Sequence, residues 1–218
     1  MKMRIATLSL VVLCLALTAS AQIYNDGGID GNDNAFFVTG PAANNFLGTN
    51  QDISNGFLAA GGTGHQLDWG EWSVGTPTTS NWSIGTTAFG NDVASGTATA
   101  ADLHYKFTNA LGYGVYDVNI PINVSFTAGN TYWLTISNAT DAAADGTQAW
   151  DIPNGGSGGP ATCNFRQSGT NFGNCGLGGE SFTIGNATGG TTPEPSSIML
   201  FGSGILGLAG VLRRKMIR

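Results

Sequence analysis

Between positions 22 and 188, apolar residues recur at every second position rather than every third or fourth. Tyr132, Leu134 and Ile136 alternate with Trp133, Thr135 and Ser137, and Leu103, Tyr105 and Phe107 alternate with His104, Lys106 and Thr108. Successive side chains of an extended chain point to opposite faces, so each run predicts a strand with one face buried. Val115, Tyr116, Val118 and Ile120 lead into Pro121, which cannot donate to a ladder and is expected to end or edge that strand. Further strands are predicted over 35–39, 65–74, 82–84, 148–152, 163–167 and 181–184. Clusters of Gly, Asn, Asp and Thr separate these runs at short spacing, the pattern of an all-β, antiparallel sandwich or jelly roll. Residues 98–110 also fit a helical period, but they read as a strand as well.

The alternation stops at both ends of the chain. Lys2 and Arg4 precede an apolar run from Ile5 to Leu17, and Ala19-Ser20-Ala21 places small residues just before Gln22. A short apolar core followed by a small-residue box predicts a signal peptide, 1–21, cleaved between Ala21 and Gln22. Cys14 leaves with it. At the other end, Pro193-Glu194-Pro195-Ser196-Ser197 precedes an uncharged run from Ile198 to Leu212, then Arg213, Arg214, Lys215 and a final Arg218. The run is 15 residues long and at about 1.5 Å per helical residue spans roughly 22 Å, short of the ~20 residues, or about 30 Å, of a hydrocarbon core. Serine and the long basic stems extend it by snorkelling, giving a predicted membrane helix at 197–212. The basic cluster predicts a cytoplasmic C-terminus.

A polar motif, a membrane-length apolar segment and a basic stop, in that order, resemble the tripartite PEP-CTERM sorting signal of Gram-negative bacteria. The resemblance implies an exosortase-type processing enzyme as partner and cleavage at or near Pro193, Glu194 and Pro195. Arg213, Arg214 and Lys215 would be the stop. It further implies transient anchoring in the inner membrane, then delivery to the cell surface or outside it, with exopolysaccharide or matrix association as an expectation. Within the body, Thr127-Ala128-Gly129-Asn130-Thr131-Tyr132-Trp133-Leu134, followed later by Trp150-Asp151, is similar to a segment of exported PEP-CTERM proteins. That likeness implies a β-sandwich and no known chemistry. The expected organisation is signal peptide 1–21, ectodomain 22–188, linker 189–192 and sorting signal 193–218.

Charge narrows the partners of the body. Only Lys106 and Arg166 of the chain's eight basic residues fall in it, against thirteen of the fourteen acids, a formal charge of −11. A phosphate-binding surface needs a basic footprint, so nucleic acid is excluded as a partner. Once Cys14 is removed, Cys163 and Cys175 form an even pair in an oxidising compartment and predict a disulfide. Metal binding is the alternative, but with no histidine nearby two thiols make a weak zinc site.

Candidate chemistry is sparse. A strand over 65–74 sets Asp68 and Glu71 on opposite faces, so a glycosidase-like carboxylate pair would need a bulge at Gly70. No Ser-His-Asp order, cysteine-nucleophile motif or phosphate loop stands out. The expectation is a non-enzyme without an obligatory cofactor. Asp26, Asp30, Asn32 and Asp33 bunch oxygen ligands suited to a structural Ca²⁺, but Ala35 stands where an EF-hand loop has glycine and Pro41 where it has glutamate, so an Asp/Asn turn is the simpler reading. Trp69, Trp72, Trp133 and Trp150 read two ways, as core packing or as platforms for sugar rings in a carbohydrate-binding module.

Overall fold

In a computed structural model, residues 22–31, 35–37, 51–142, 148–152, 163–175 and 179–185 are described. Among them the chain is all β, with every ladder antiparallel. The strands are β1 (Tyr24–Asn25), β2 (Ala35–Phe37), β3 (Gln51–Leu58), β4 (Gly62–Ser73), β5 (Pro77–Gly85), β6 (Ala94–Thr99) and β7 (Leu103–Thr108). They continue with β8 (Gly114–Phe126), β9 (Thr131–Asp141), β10 (Gln148–Asp151), β11 (Cys163–Gln167), β12 (Thr170–Asn174) and β13 (Phe182–Gly185). The region 98–110 resolves into the end of β6, a turn and β7, so its helical period is overridden by pairing with β5 and β8.

One sheet is organised around β4. Its whole length pairs with β8 on one side. On the other, β13 takes Gln66 to Trp69 and β10 takes Glu71 to Ser73, end to end. Gly70 sits at the junction and donates its N–H to Ser181 O at 3.3 Å. A Cβ there would lie 2.7 Å from Asp151 Cβ and 2.9 Å from Ile29 Cγ1, so close approach demands glycine. The second sheet runs β12-β11-β3-β9-β5-β6.

Pro121 does not end β8 but lies where β8 is an edge, since β7 pairs only with Gly114 to Val118 and, among the described residues, β4 alone pairs at Pro121. The β4–β8 ladder slips between Gly64 and Gln66, and Pro121 pairs with Gln66 beside that irregularity. The lost N–H falls where the ladder is already broken, one of the few places a sheet tolerates proline.

The inward faces of both sheets meet in one core. Leu67, Trp69, Val118, Ile120 and Ile184 come from the first sheet, and Ile53, Phe57, Ile84, Leu134 and Ile136 from the second. Phe57 is the centre of an aromatic group that joins them, with ring centroids 5.0 Å from Tyr24, 5.4 Å from Phe182 and 6.0 Å from Phe126. Leu134 and Ile136 are fully buried, as the alternation along β9 predicts. A smaller cluster of Trp72, Val115 and Ala149, with Ile29, Ala35 and Tyr113 against it, lies apart from this core.

Candidate functional site

Several of the side chains nominated by the sequence are spent on holding the fold. Trp69, Trp72 and Trp150 are all buried. Their indole N–H groups donate inward, to Glu71 Oε2 at 3.3 Å, to Asp151 Oδ1 at 2.7 Å and to the Ser181 carbonyl at 3.0 Å. A ring that is enclosed and hydrogen-bonded offers no face to a sugar, and of the four nominated residues only Trp133 keeps partial exposure. Large apolar area wins over stacking potential here.

Asp68 and Glu71 do lie on opposite faces of β4. The ladder to β8 is regular from Gln66 to Ser73, so no bulge at Gly70 swings them together. Asp68 accepts from Gln66 Nε2 at 2.9 Å and Thr183 Oγ1 at 3.1 Å, while burial pushes its carboxyl above the usual range. Glu71 faces the core, where Ser80 Oγ donates to it at 2.7 Å from the opposing sheet. Burial raises Glu71 to about 7, against the lowering effect of those donors. It ties the two sheets and is enclosed.

The calcium set does not assemble among the residues described. Asp26 turns into the interior, where Asn55 Nδ2 donates to it at 3.3 Å. Asp30 lies near Asp151 instead, and the N–H groups of Asp30 and Gly31 both donate to the Asp151 carboxylate at 3.2 Å. Within the described part of this segment a turn forms, with the Gly27 N–H closing on Asn25 Oδ1 at 2.9 Å. Asn32 and Asp33 lie outside the described residues. Burial lifts Asp151 to about 6, opposed by the hydrogen bond from Trp72.

Cys163 and Cys175 form the predicted disulfide, with Cα atoms 5.4 Å apart. It staples the β11–β12 hairpin, and the Cys175 N–H donates to the Cys163 carbonyl at 3.0 Å. A loop of this size is worth on the order of 3 kcal/mol in the chain-entropy picture.

The residue that sequence reasoning missed is Glu180. It is fully buried, and its Oε1 lies 2.7 Å from Cys163 Sγ. A disulfide sulfur carries no proton, so the hydrogen in this contact belongs to the carboxyl. Burial first, then the charge of Asp26, pushes Glu180 to about 8, which keeps that proton in place near neutrality. Asn55 stands opposite Cys163 in the ladder, so Asp26, Asn55, Cys163 and Glu180 form one buried polar group inside the core. The only sequence signal was a lone glutamate after a glycine-rich stretch and before an apolar strand.

The predicted signal peptide, including Ala19 and Ala21, and the tail from Pro193 to Arg218 lie outside the described residues. Gln22 is exposed. Among the described residues no helix is long and apolar enough to cross a membrane. The tail is decided by family comparison: residues 191–215 match the family model of the PEP-CTERM protein-sorting motif. This chain carries a PEP-CTERM signal. The matched span takes in Pro193, Glu194, Pro195, Arg213, Arg214 and Lys215. A PEP-CTERM signal supports export and targeting to an exosortase. No curated protein matches the chain.

Proposed function

We propose that this protein is a non-enzymatic surface or matrix component whose β-sandwich body is exported, held briefly at the inner membrane and released or transferred by exosortase-type cleavage at or near Pro193–Pro195. The PEP-CTERM match at 191–215 is the observation that carries the reading. The body supports it in a second way. Its most perturbed carboxyl groups, Glu71, Asp151 and Glu180, are enclosed, and each has a structural neighbour: Ser80, Trp72 or the disulfide. Groups so placed brace a scaffold and meet no substrate. Association with exopolysaccharide is the role that such sorting suggests. If the body does bind sugar, it does so without the faces of Trp69, Trp72 and Trp150, which are buried.

Intact mass and terminal-peptide mapping test the proposal on protein recovered from envelope and culture fluid. A chain that begins at Gln22 and ends near Pro193–Pro195 supports it. A chain running to Arg218 and confined to the membrane refutes processing and leaves a tethered ectodomain.

A further inference from the structure

Glu180 has no role in closing a disulfide, yet its carboxyl is held against one. The two sulfurs and a Glu180 carboxylate oxygen all lie within 4.8 Å of one another. Among the described residues, Glu180 Oε2 and Asn55 Oδ1, both on fully buried residues, have no hydrogen-bond partner. Leaving such oxygens unsatisfied in a core costs free energy that a ligand would recover. Cys175 is only half-buried, while Cys163 and Glu180 are buried.

We propose that, when the disulfide is open, Cys163, Cys175 and Glu180 bind Zn²⁺. Metal binding and disulfide closure then compete for the same two sulfurs. Two thiolates and one carboxylate are a donor set zinc accepts, with water in the fourth position of a tetrahedron. With Zn–S distances of about 2.3 Å, tetrahedral geometry asks for sulfurs about 3.8 Å apart. The three donor atoms already lie within 4.8 Å of one another, and once the bond is opened the two sulfurs have to move apart to the tetrahedral spacing from Cα atoms 5.4 Å apart. Glu180 supplies what the sequence seemed to lack, a third ligand where no histidine is near. The chemistry balances. A dithiol donor gives two electrons and two protons to the Cys163–Cys175 bond and itself closes to a disulfide. Zn²⁺ then displaces both thiol protons and the carboxyl proton to solvent. The site is independent of the sorting signal and stands or falls separately.

The experiment uses the full chain in mild detergent, with and without reduction by a phosphine, and titrates Co²⁺ as a spectroscopic stand-in for zinc. The expected result is one Co²⁺ per reduced chain, a thiolate-to-cobalt charge-transfer band, and loss of that band when Zn²⁺ is added. The disulfide form should show no band. Glu180→Gln keeps both thiols and should weaken Zn²⁺ binding at least tenfold, since even outer-shell partners of a metal are worth 10–100-fold. Equal affinity in Glu180→Gln overturns the proposal, as does an equal response from the disulfide form. Circular dichroism covers the case in which reduction melts the sheets, because a real site should then refold on adding Zn²⁺. Failure of zinc to restore the β spectrum overturns the proposal, and so does a folded reduced chain that takes up no cobalt.

Discussion

Replacing Glu71 by glutamine should flatten the pH dependence of stability. In the unfolded chain this glutamate gives up its proton near pH 4.5, whereas in the folded protein burial holds the proton to about pH 7. Between those values the folded state binds more protons, so stability is fully present below pH 4.5 and is lost as pH rises towards 7. A displacement of this size corresponds to roughly 3 kcal/mol at most, at about 1.4 kcal/mol per unit. The glutamine amide oxygen can still accept from Ser80 and Trp69, so the hydrogen bonds that tie the sheets are kept. Relative to the parent chain, Glu71→Gln should therefore gain between one and three kcal/mol on going from pH 4.5 to pH 8, as an order of magnitude. Urea unfolding at several pH values, followed by the fluorescence of the buried Trp69 and Trp150, measures it. Asp151 and Glu180 titrate in the same direction, so the difference between variant and parent is the diagnostic quantity. An identical pH slope in the two chains would refute the argument, as would a parent protein that grows more stable from pH 4.5 to 7.

Three other perturbations follow from the packing. Phe57→Ala removes the ring at which Tyr24, Phe126 and Phe182 converge and should cost about 3–5 kcal/mol, read as a lowered urea midpoint. Gly70→Ala forces a methyl against Asp151 and Ile29 and should cost about 1–3 kcal/mol, with a loss smaller than 0.5 kcal/mol showing that the junction relaxes freely. Trp72→Phe deletes the 2.7 Å hydrogen bond to Asp151 and should destabilise by about 1–3 kcal/mol. Because that bond lowers the Asp151 pKa from where burial alone would put it, the Trp72→Phe loss should be larger at pH 8 than at pH 5.

The strand alternation was readable because both sheets bury one face against the other. Leu134, Ile136 and Tyr132 needed nothing beyond period two, and the opposition of Asp68 and Glu71 followed from the same rule. β3 was not read, since Gln51, Ser54 and Asn55 are polar residues that the interior nonetheless accepts. Asn55 is there because Asp26 and the disulfide make that part of the core polar, a long-range arrangement that no local pattern announces. Whether Pro121 ends its strand or lies on an edge depends on where the neighbouring β7 stops, and the local pattern left both open: β7 pairs only as far as Val118, so the proline lies on an edge. The calcium set rests on nearness in sequence, and its two described members, Asp26 and Asp30, lie beside different neighbours, Asn55 and Asp151. The sorting tail was legible because its meaning lies in linear order and needs no folding at all.

Both cations of the body are already engaged: Lys106 meets Asp117 at 3.0 Å, and Arg166 meets Asp52 at 2.6 Å. The remaining carboxylates are a surplus that small mobile counterions must balance. Two such bodies, or a body and an acidic polymer, repel through their ion clouds over a screening length of about 8 Å in physiological salt. Cohesion with an acidic matrix would then depend on dissolved divalent ions acting as bridges and would fall away under a chelator, whereas contact with an uncharged polymer would be indifferent to both.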